Sequence, residues 1–379
     1  MAIEVAFISV VPSPYQRDLF RALAAHPDVR LRVFYLEAAS PDSPWPEKPL
    51  APYEEILRGF WLSLHGARFH FNRPPALDRY DVIVMNTLMS LTAQWLMRTA
   101  LRKKPWFFWG ERLSRGGALH QHLAAPLHRA TAIASIGKFA EEDYRERFPE
   151  PRHFRIPYFC DLDQFLAAPR RVRDDGKIVF LFCGQMIARK GLDLLLAAFA
   201  ELGDHAHLLL VGREAELPAK LPERCVYAGF QPPEELPRFF AQADVFVLPS
   251  RYDGWGVVVN QAIGAGLPVI CSDMVGAGHD LVDEEKNGLK FKAGDAASLA
   301  EKMKRFLAEP ALIEKWGSAS REKARAFTPQ AGAEKWVAAI RSCGVPAAGS
   351  SRGVPAARPG GEDATETACG GDAAATRPP

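Results

Sequence analysis

Two short segments place charged side chains and glycines directly after apolar runs of the kind that form buried strands. In the first, the run 178–183 ends at Gly184, and a loop then presents Arg189 and Lys190 at the start of a helical pattern. The amides and dipole of a helix start favour an anion, and arginine adds forked hydrogen bonds. The segment is suited to a diphosphate, although a solvated basic helix start has the same pattern.

The second segment reads Asp253-Gly-Trp-Gly-Val-Val-Val-Asn-Gln261 and follows the apolar run 245–248. Gly254 and Gly256 lack side chains, so backbone amides can approach a ligand closely. Asp253 supplies a carboxylate able to bind sugar hydroxyls, and Gln261 lies about two helical turns further on the same side. A glycine-rich connector with a capping aspartate is the alternative, which we disfavour because both segments follow strands of one domain.

Alternating strands and helices must position these segments. Short apolar runs alternate with amphipathic segments, as in βαβ units. The predicted strands are 5–11, 31–35, 82–85, 106–109, 132–135, 178–183, 207–211, 245–248 and 269–271. The predicted helices are 15–25, 91–101, 119–128, 138–147, 191–201, 233–242, 257–264 and 297–307. We therefore predict an α/β fold of two Rossmann-like domains, with any ligand in the cleft beyond the carboxyl ends of the strands.

Length and composition fit this architecture. The 379 residues are 48% hydrophobic and 24% charged, which is globular and long enough for two domains. The net charge of +2 gives no support for a nucleic-acid partner. A polar, breaker-rich stretch at 167–176 predicts the domain boundary. The tail 346–379 is rich in Gly, Pro, Ala and Thr, so we expect it to be disordered.

The sequence favours a cytoplasmic location. The six cysteines form no CxxC pair and lie far apart, so we expect neither a zinc site nor a disulfide framework. Glu4 interrupts the N-terminal apolar run, and no basic region precedes it, which favours a strand over a signal peptide. The longest uncharged run, 82–97, is too short and polar for a transmembrane helix.

The second half of the chain resembles the donor-binding domain of retaining GT-B glycosyltransferases, in particular glycosyltransferase family 4. Gly184, Lys190 and Gly191 match the family pattern G-R-L-x-x-x-K-G. The residues 253–256, 261–262 and 268–270 match E-G-F-G-x-x-x-x-E-A and the following P-V-I in register. The resemblance runs from about residue 3 to residue 342 and is strongest from 156 to 272.

The resemblance implies a nucleotide-diphosphate sugar as co-substrate, no metal, and retention of anomeric configuration. Lys190 and Arg189 would neutralise the diphosphate and Asp253 would hold sugar hydroxyls. Donor-binding residues are then Gly184, Gln185, Arg189, Lys190, Gly212, Gly229, Phe230, Asp253, Gly254, Trp255, Gly256, Val257 and Gln261. The implied domains are an acceptor-side domain 1–168, a donor domain 169–328, and a C-terminal helix 329–345 that returns to the first domain.

Three positions depart from the family pattern. Gln185 replaces an arginine, so a phosphate contact is weakened unless Arg189 supplies it. Asp253 replaces a glutamate and keeps its charge. Gln261 replaces the glutamate that usually binds ribose hydroxyls, and an amide lacks the charge-assisted strength of a carboxylate. A relative that binds nucleotide sugars without efficient transfer therefore stays an alternative to the enzyme.

In the first half, the loop containing Pro14, Tyr15 and Arg17 resembles a Pro-Tyr variant of the family's N-terminal loop and is expected to line the acceptor side of the cleft. Many family members carry a histidine after a strand near the transferred sugar. The comparable position here is Glu111, which we predict to be catalytic together with Lys190 and Asp253. Other histidines, at 120, 122 and 128, are expected to be surface or packing residues.

The acceptor is less specified than the donor. From Arg58 to Lys138 there are twelve Lys and Arg against three Asp and Glu, which favours an anionic partner such as a membrane surface or a lipid-linked acceptor. The segment 95–104 mixes apolar and basic residues, but a Rossmann helix with a basic outer face explains it equally well. A dinucleotide oxidoreductase or epimerase is disfavoured because G-x-G-x-x-G is absent after the first strand.

Overall fold

The computed structural model describes residues 2–39, 48–64, 67–113, 116–169, 176–218 and 220–345. The predicted disordered tail, 346–379, and residues 170–175 of the predicted domain boundary lie outside the described residues. No helix in these ranges combines the length and apolar composition needed to cross a membrane.

The first half of the chain forms a parallel sheet with an added hairpin. Its strands are β1 Ile3–Ser9, β2 Val29–Tyr35, β3 Glu54–Ile56, β4 Gly59–Leu64, β5 Ala67–Asn72, β6 Val82–Met85, β7 Trp106–Gly110, β8 Ala132–Ser135 and β9 Arg152–Arg155. Its helices are α1 Pro14–Ala25, α2 Leu91–Arg98, α3 Ala118–Ala124, α4 Lys138–Arg147 and α5 Asp163–Ala167. In the described residues the sheet has the order β3-β2-β1-β6-β7-β8-β9, while β4 and β5 pair only with each other.

The second half repeats the pattern. Its strands are β10 Ile178–Cys183, β11 Ala206–Val211, β12 Cys225–Tyr227, β13 Val245–Leu248, β14 Val269–Ser272 and β15 Gly288–Phe291. Its helices are α6 Leu192–Ala200, α7 Leu236–Phe240, α8 Val258–Gly264, α9 Gly276–Leu281, α10 Ala296–Ala308, α11 Ala311–Ala324 and α12 Pro329–Ser342. The strand order is β12-β11-β10-β13-β14-β15, with every neighbouring pair parallel.

These two parallel sheets confirm the predicted α/β fold with two Rossmann-like halves. Both sheets are built from strands that are buried on both faces, such as β6 and β10, which explains why they read as continuous apolar runs. Every predicted strand is present, with ends displaced by up to two residues. The predicted helices 91–101, 119–128 and 233–242 each divide into an α-helical and a 3₁₀ part. The division into domains at 168/169 stays a prediction.

The C-terminal helix returns to the first half of the chain, as predicted. α12 packs against α1. Trp336 of α12 is fully buried, with its ring centroid 5.2 Å from that of Phe7 in β1 and 5.7 Å from that of Trp109 in β7. At the helix end, Arg341 forms an ion pair with Asp28 at 2.7 Å. The last helix therefore completes the core beneath the first sheet.

Replacing Trp336 with alanine tests this packing. Loss of a buried indole should lower the free energy of unfolding by about 3–5 kcal/mol, because the neighbouring rings cannot collapse into the space. Lys335→Ala, an exposed position in the same helix, should change it by less than about 0.5 kcal/mol. Urea unfolding measures both, and equal effects would show that α12 is not part of the core.

Candidate functional site

A cavity of 560 Å³ opens at the carboxyl ends of the strands of both sheets. It has the size of a site for a small organic ligand. The predicted residues that line it are Pro14, Tyr15, Glu111, Gly184, Gln185, Arg189, Lys190, Gly212, Phe230, Asp253, Gly256, Val257 and Gln261. The structure therefore brings together in one cavity most residues that the sequence singled out.

Glycine at two positions allows the loops of the second sheet to approach each other. Gly191 has φ +72°, and a Cβ there would lie 2.1 Å from the carbonyl oxygen of Pro249. Gly212 has φ +141°, and a Cβ there would lie 1.8 Å from the carbonyl oxygen of Gly184. Any side chain would be strained by both the backbone conformation and the clash. The basic loop after β10 is thus held against the loops after β13 and β11.

An ion pair joins the two segments. The Lys190 Nζ lies 2.5 Å from the Asp253 Oδ2, and both side chains are largely buried. The neighbouring Arg189 donates from Nη1 to the carbonyl oxygen of Tyr252 at 2.9 Å. Cation and carboxylate thus lie side by side at the cavity wall, where the ammonium can turn to an anion and the carboxylate can accept from hydroxyl groups.

Glu111 reaches the same place from the first sheet. It directly follows β7, and a Cβ on Gly254 would lie 2.0 Å from the Glu111 Oε2. The carboxylate therefore rests directly on the Gly254 backbone, beside Asp253. The Tyr144 hydroxyl fixes the Glu111 backbone by donating to its carbonyl oxygen at 2.7 Å. A side chain at 254 would displace the Glu111 carboxylate from this position.

Burial and the nearby Asp253 carboxylate raise the pKa of Glu111 from 4.5 to about 7. Three contacts oppose the increase: the charges of Lys190 and Arg189 and a hydrogen bond with the Tyr158 side chain. Desolvation and a like charge disfavour the ionised carboxylate. Glu111 can therefore hold or release a proton near neutral pH, which is a property of groups at functional sites.

Gln261 contributes an unused acceptor to the cavity. Its Oε1 is buried and has no hydrogen-bond partner among the described residues. A buried amide oxygen without a partner costs free energy. The side chain lines the cavity, so a ligand that donates a hydrogen bond there would satisfy this atom.

Four predicted residues do not line the cavity. Gly254 is covered by Glu111, and Gly229 lies beside the lining Phe230. Trp255 is fully buried and donates from Nε1 to the Asn260 Oδ1 at 2.9 Å, so it packs in the core rather than contacting a ligand.

Arg17 is the fourth predicted residue that does not line the cavity. Its guanidinium is held by the buried Glu54, at 2.6 Å and 2.9 Å to the two carboxylate oxygens. The Tyr35 hydroxyl donates to the same glutamate. Arg17 therefore fastens α1 to β3 and is a structural residue, unlike Pro14 and Tyr15, which line the cavity.

Sequence reasoning missed a second cavity of 340 Å³ in the first half. It meets the first cavity at Glu111 and Tyr158, which line both. His120 lines it, whereas His128 hydrogen-bonds Glu150. No sequence signal marks this cavity, because its other walls are unremarkable residues from β7, α3 and the loop after β6. In the described ranges no His, Cys, Asp or Glu cluster could hold a metal ion.

Comparison with protein families gives a match in the second half. Residues 165–323 match the model of the family described as glycosyl transferases group 1.

Three relatives have similar sequences. The alpha-D-kanosaminyltransferase of Streptomyces kanamyceticus is 26% identical over 50% of this chain and 54% of its own length. The 2-deoxystreptamine glucosyltransferase of the same organism is 31% identical over 42% of this chain and 46% of its own length. A GDP-mannose-dependent phosphatidylinositol monomannoside mannosyltransferase of Mycolicibacterium smegmatis is 26% identical over 51% of this chain and 57% of its own length. The chain spans about half the length of these relatives.

Solved structures match over most of the chain. Sucrose-phosphate synthase from Thermosynechococcus elongatus is 22% identical, with a TM-score of 0.69 over 90% of this chain and 98% of that one. Anabaena HepE in complex with UDP is 15% identical, with a TM-score of 0.68 over 90% of this chain and 100% of that one. These likenesses confirm the fold of the GT-B type that the sequence predicted.

The raised pKa of Glu111 predicts a pH-dependent stability. The folded state holds the Glu111 proton more tightly than the unfolded chain, so this group lowers the free energy of unfolding as pH rises from 4.5 to about 7. Glu111→Gln cannot ionise and should be more stable than wild type by about 3 kcal/mol at about pH 8, with the gain fading toward about pH 4.5.

Urea unfolding at both pH values measures this difference. Glu142→Gln, an exposed position on α4, is the matched control and should show no such pH-dependent gain. A stability difference that is the same at both pH values would contradict the raised pKa.

Proposed function

We propose that this protein transfers a glycosyl residue from a nucleoside diphosphate sugar to an acceptor hydroxyl, with retention of anomeric configuration. The observation that carries the proposal is the Lys190–Asp253 pair, which faces Glu111 from the opposite sheet inside one cavity. The glycosyl transferases group 1 match over 165–323 supports the same chemistry. So does the fold shared with a structure that holds UDP.

The cavity offers a separate contact for each part of such a donor. Lys190 and Arg189 lie where they can neutralise a diphosphate, beside the amides after β10. Asp253 can accept from sugar hydroxyls. The free Oε1 of Gln261 can accept from a ribose hydroxyl, and the exposed ring of Phe230 can cover a nucleobase.

The proposed reaction is a displacement on one face of the sugar. The bond from the anomeric carbon to the diphosphate breaks, and its electrons stay on the leaving oxygen, whose charge Lys190 and Arg189 stabilise. The acceptor oxygen attacks from the same face and gives its proton to a phosphate oxygen. Asp253 lies where its carboxylate can stabilise positive charge on the sugar, and Glu111 reaches the same place from the first sheet. We propose that these cations suffice without a metal, so EDTA leaves turnover unchanged.

We propose a cell-surface glycan or a lipid-linked molecule as the acceptor, reached from the cytoplasm at the inner face of the membrane. The excess of twelve basic over three acidic residues between 58 and 138 supports an anionic partner. The second cavity supports a place for it, because it meets the donor cavity at Glu111. One similar protein is named for a phosphatidylinositol mannoside acceptor.

A relative that binds nucleotide sugars without efficient transfer is the second candidate. Gln185 and Gln261 favour it, since both replace charged residues of the family pattern. Mass spectrometry of the protein incubated with a nucleotide sugar and lipid extracts separates the two candidates. Donor binding without any transfer product, and without slow hydrolysis of the donor, would favour this candidate over the enzyme.

Lys190→Ala tests the donor site. UDP- and GDP-sugars are screened by thermal shift against wild type, each variant being compared with its own ligand-free melting temperature. The active donor should bind roughly 10- to 100-fold more weakly to Lys190→Ala, because a charged hydrogen bond is lost. Lys286→Ala, an exposed lysine that does not line the cavity, should bind like wild type. A wild type that responds to no nucleotide sugar would overturn the assignment.

Gln261→Glu tests the ribose contact. A carboxylate makes the charge-assisted hydrogen bond that the amide lacks, which should tighten nucleotide binding by about 1 kcal/mol, or about fivefold. Calorimetric titration with UDP and with GDP measures the change, and Gln330→Glu, an exposed position in α12 that does not line the cavity, is the control. Weaker binding by Gln261→Glu alone would show that residue 261 faces phosphate rather than ribose.

A further inference from the structure

The β4–β5 hairpin turns the face that carries His70 and Asn72 toward the protein, with Trp61 of the same face 44% exposed. Asn72 donates from its backbone amide to the Thr92 Oγ1 of α2 at 2.8 Å, and from Nδ2 to the carbonyl oxygen of Leu36 at 2.8 Å. His70, on the same face, is buried. Surface hairpins ordinarily bury their apolar face and expose the polar one. Here the hairpin is fixed in the reverse orientation.

The outer face of the hairpin is consequently apolar. Phe60 lies opposite Phe71, and Leu62 lies opposite Phe69, in the antiparallel register. Phe60, Leu62 and Phe71 are 60%, 57% and 40% exposed. The Phe60 and Phe71 rings stack with centroids 5.1 Å apart. An aromatic face of this extent exposed to water requires an explanation.

Helix α2, which contacts β5, continues this apolar exposure. Its residues Leu91 and Trp95 are one turn apart and are 41% and 53% exposed. Met89, just before the helix, is 52% exposed. We call the outer hairpin face together with Leu91 and Trp95 the aromatic surface.

Basic residues lie beside the aromatic surface. Arg58 and Arg73 are neighbours at the open end of the hairpin, where the Arg73 amide donates to the Arg58 carbonyl oxygen at 2.8 Å, and Arg102 and Lys103 follow α2. All four are exposed. They belong to the segment 58–138, which has nine more basic than acidic residues. An anionic partner is therefore favoured over a neutral or basic one.

We propose that the aromatic surface docks this protein on an anionic lipid bilayer. Aromatic side chains favour the membrane interface, and surrounding Lys and Arg bind anionic headgroups. A second copy is disfavoured, because a symmetric contact would bring two strongly basic surfaces together. The chain's own tail, 346–379, is disfavoured because Val354 is its only large aliphatic or aromatic residue. The inference deepens the proposed lipid-linked acceptor and rests on it.

Vesicle sedimentation of the full chain tests the apolar contribution. Wild type should bind vesicles of phosphatidylcholine mixed with phosphatidylglycerol. It should bind vesicles of phosphatidylcholine alone more weakly. The combined change Phe60→Ser, Leu62→Ser and Phe71→Ser should weaken binding by roughly tenfold or more, since three interfacial side chains are lost. Val226→Ser, which removes an exposed apolar residue from the second half, should bind like wild type.

The charge contribution is tested separately with Arg58→Gln and Arg73→Gln, which leave the aromatic side chains in place. Each should weaken binding to phosphatidylglycerol vesicles about fivefold, with no effect on phosphatidylcholine. Arg325→Gln and Lys315→Gln, both exposed in or beside α11, are the matched controls. This pair of variants keeps the test valid if the triple serine variant fails to fold.

The outcomes separate this proposal from the donor site. Normal donor-induced thermal shifts with lost vesicle binding support the docking surface. Vesicle binding unchanged in the hairpin variants, or indifferent to phosphatidylglycerol, overturns it while leaving the donor site intact. If wild type does not bind vesicles, and light scattering shows that it is a dimer which the triple variant does not form, the docking proposal is overturned in favour of a contact with a second copy. Loss of all donor response in wild type defeats the proposed function instead.

Discussion

The ion pair between Lys190 and Asp253 is the interaction on which the site depends. It joins the loop after β10 to the loop after β13, and so connects two segments of the second half that carry both a charge and a closely approached glycine. A partly buried ammonium or carboxylate left alone would be costly, and here each residue is the charge partner of the other. The pair therefore keeps both charges available at the wall of one cavity.

The fold brings a third charge to this pair from the other half of the chain. The Glu111 carboxylate rests on Gly254, and the Tyr252 hydroxyl donates to the carbonyl oxygen of Arg112 at 2.8 Å. Together with α12, these contacts hold the two sheets so that their strand ends meet at the cavity. Strand-end loops from both halves are thus positioned by rigid elements, as a site with several charges requires.

The sequence could predict the parts of this arrangement that are local. Apolar runs such as 178–183 and 245–248 became strands at the predicted residues, and the glycines and charges after them lie in the cavity. Tertiary partners could not be read from the pattern. Trp255 sits inside a glycine-rich loop, yet its indole donates to Asn260, and the Asn260 amide donates in turn to the carbonyl oxygen of Tyr158, which lies far earlier in the sequence.

Long-range contacts explain the remaining differences. The resemblance of its loop to the family's N-terminal loop predicted Arg17 at the cleft, but Glu54, far away in sequence, binds its guanidinium. The hairpin 59–72 was not predicted, because its exposed aromatic face reverses the usual alternation of a surface strand pair. Where a segment contradicts the ordinary pattern, only the structure shows which face is inside.

The charges in the cavity also indicate how an anionic ligand can be accommodated. Lys190 and Arg189 are balanced by Asp253 and, when ionised, Glu111, so the empty cavity has little net charge to attract a diphosphate. A diphosphate placed beside Lys190 adds negative charge near Glu111, and a nearby like charge raises a carboxyl pKa further. Because that pKa is already about 7, we expect Glu111 to take up a proton near neutral pH when the anion binds. A neutral Glu111 does not repel the ligand, and Asp253 then balances only one of the two cations, which leaves one positive charge in excess at the diphosphate.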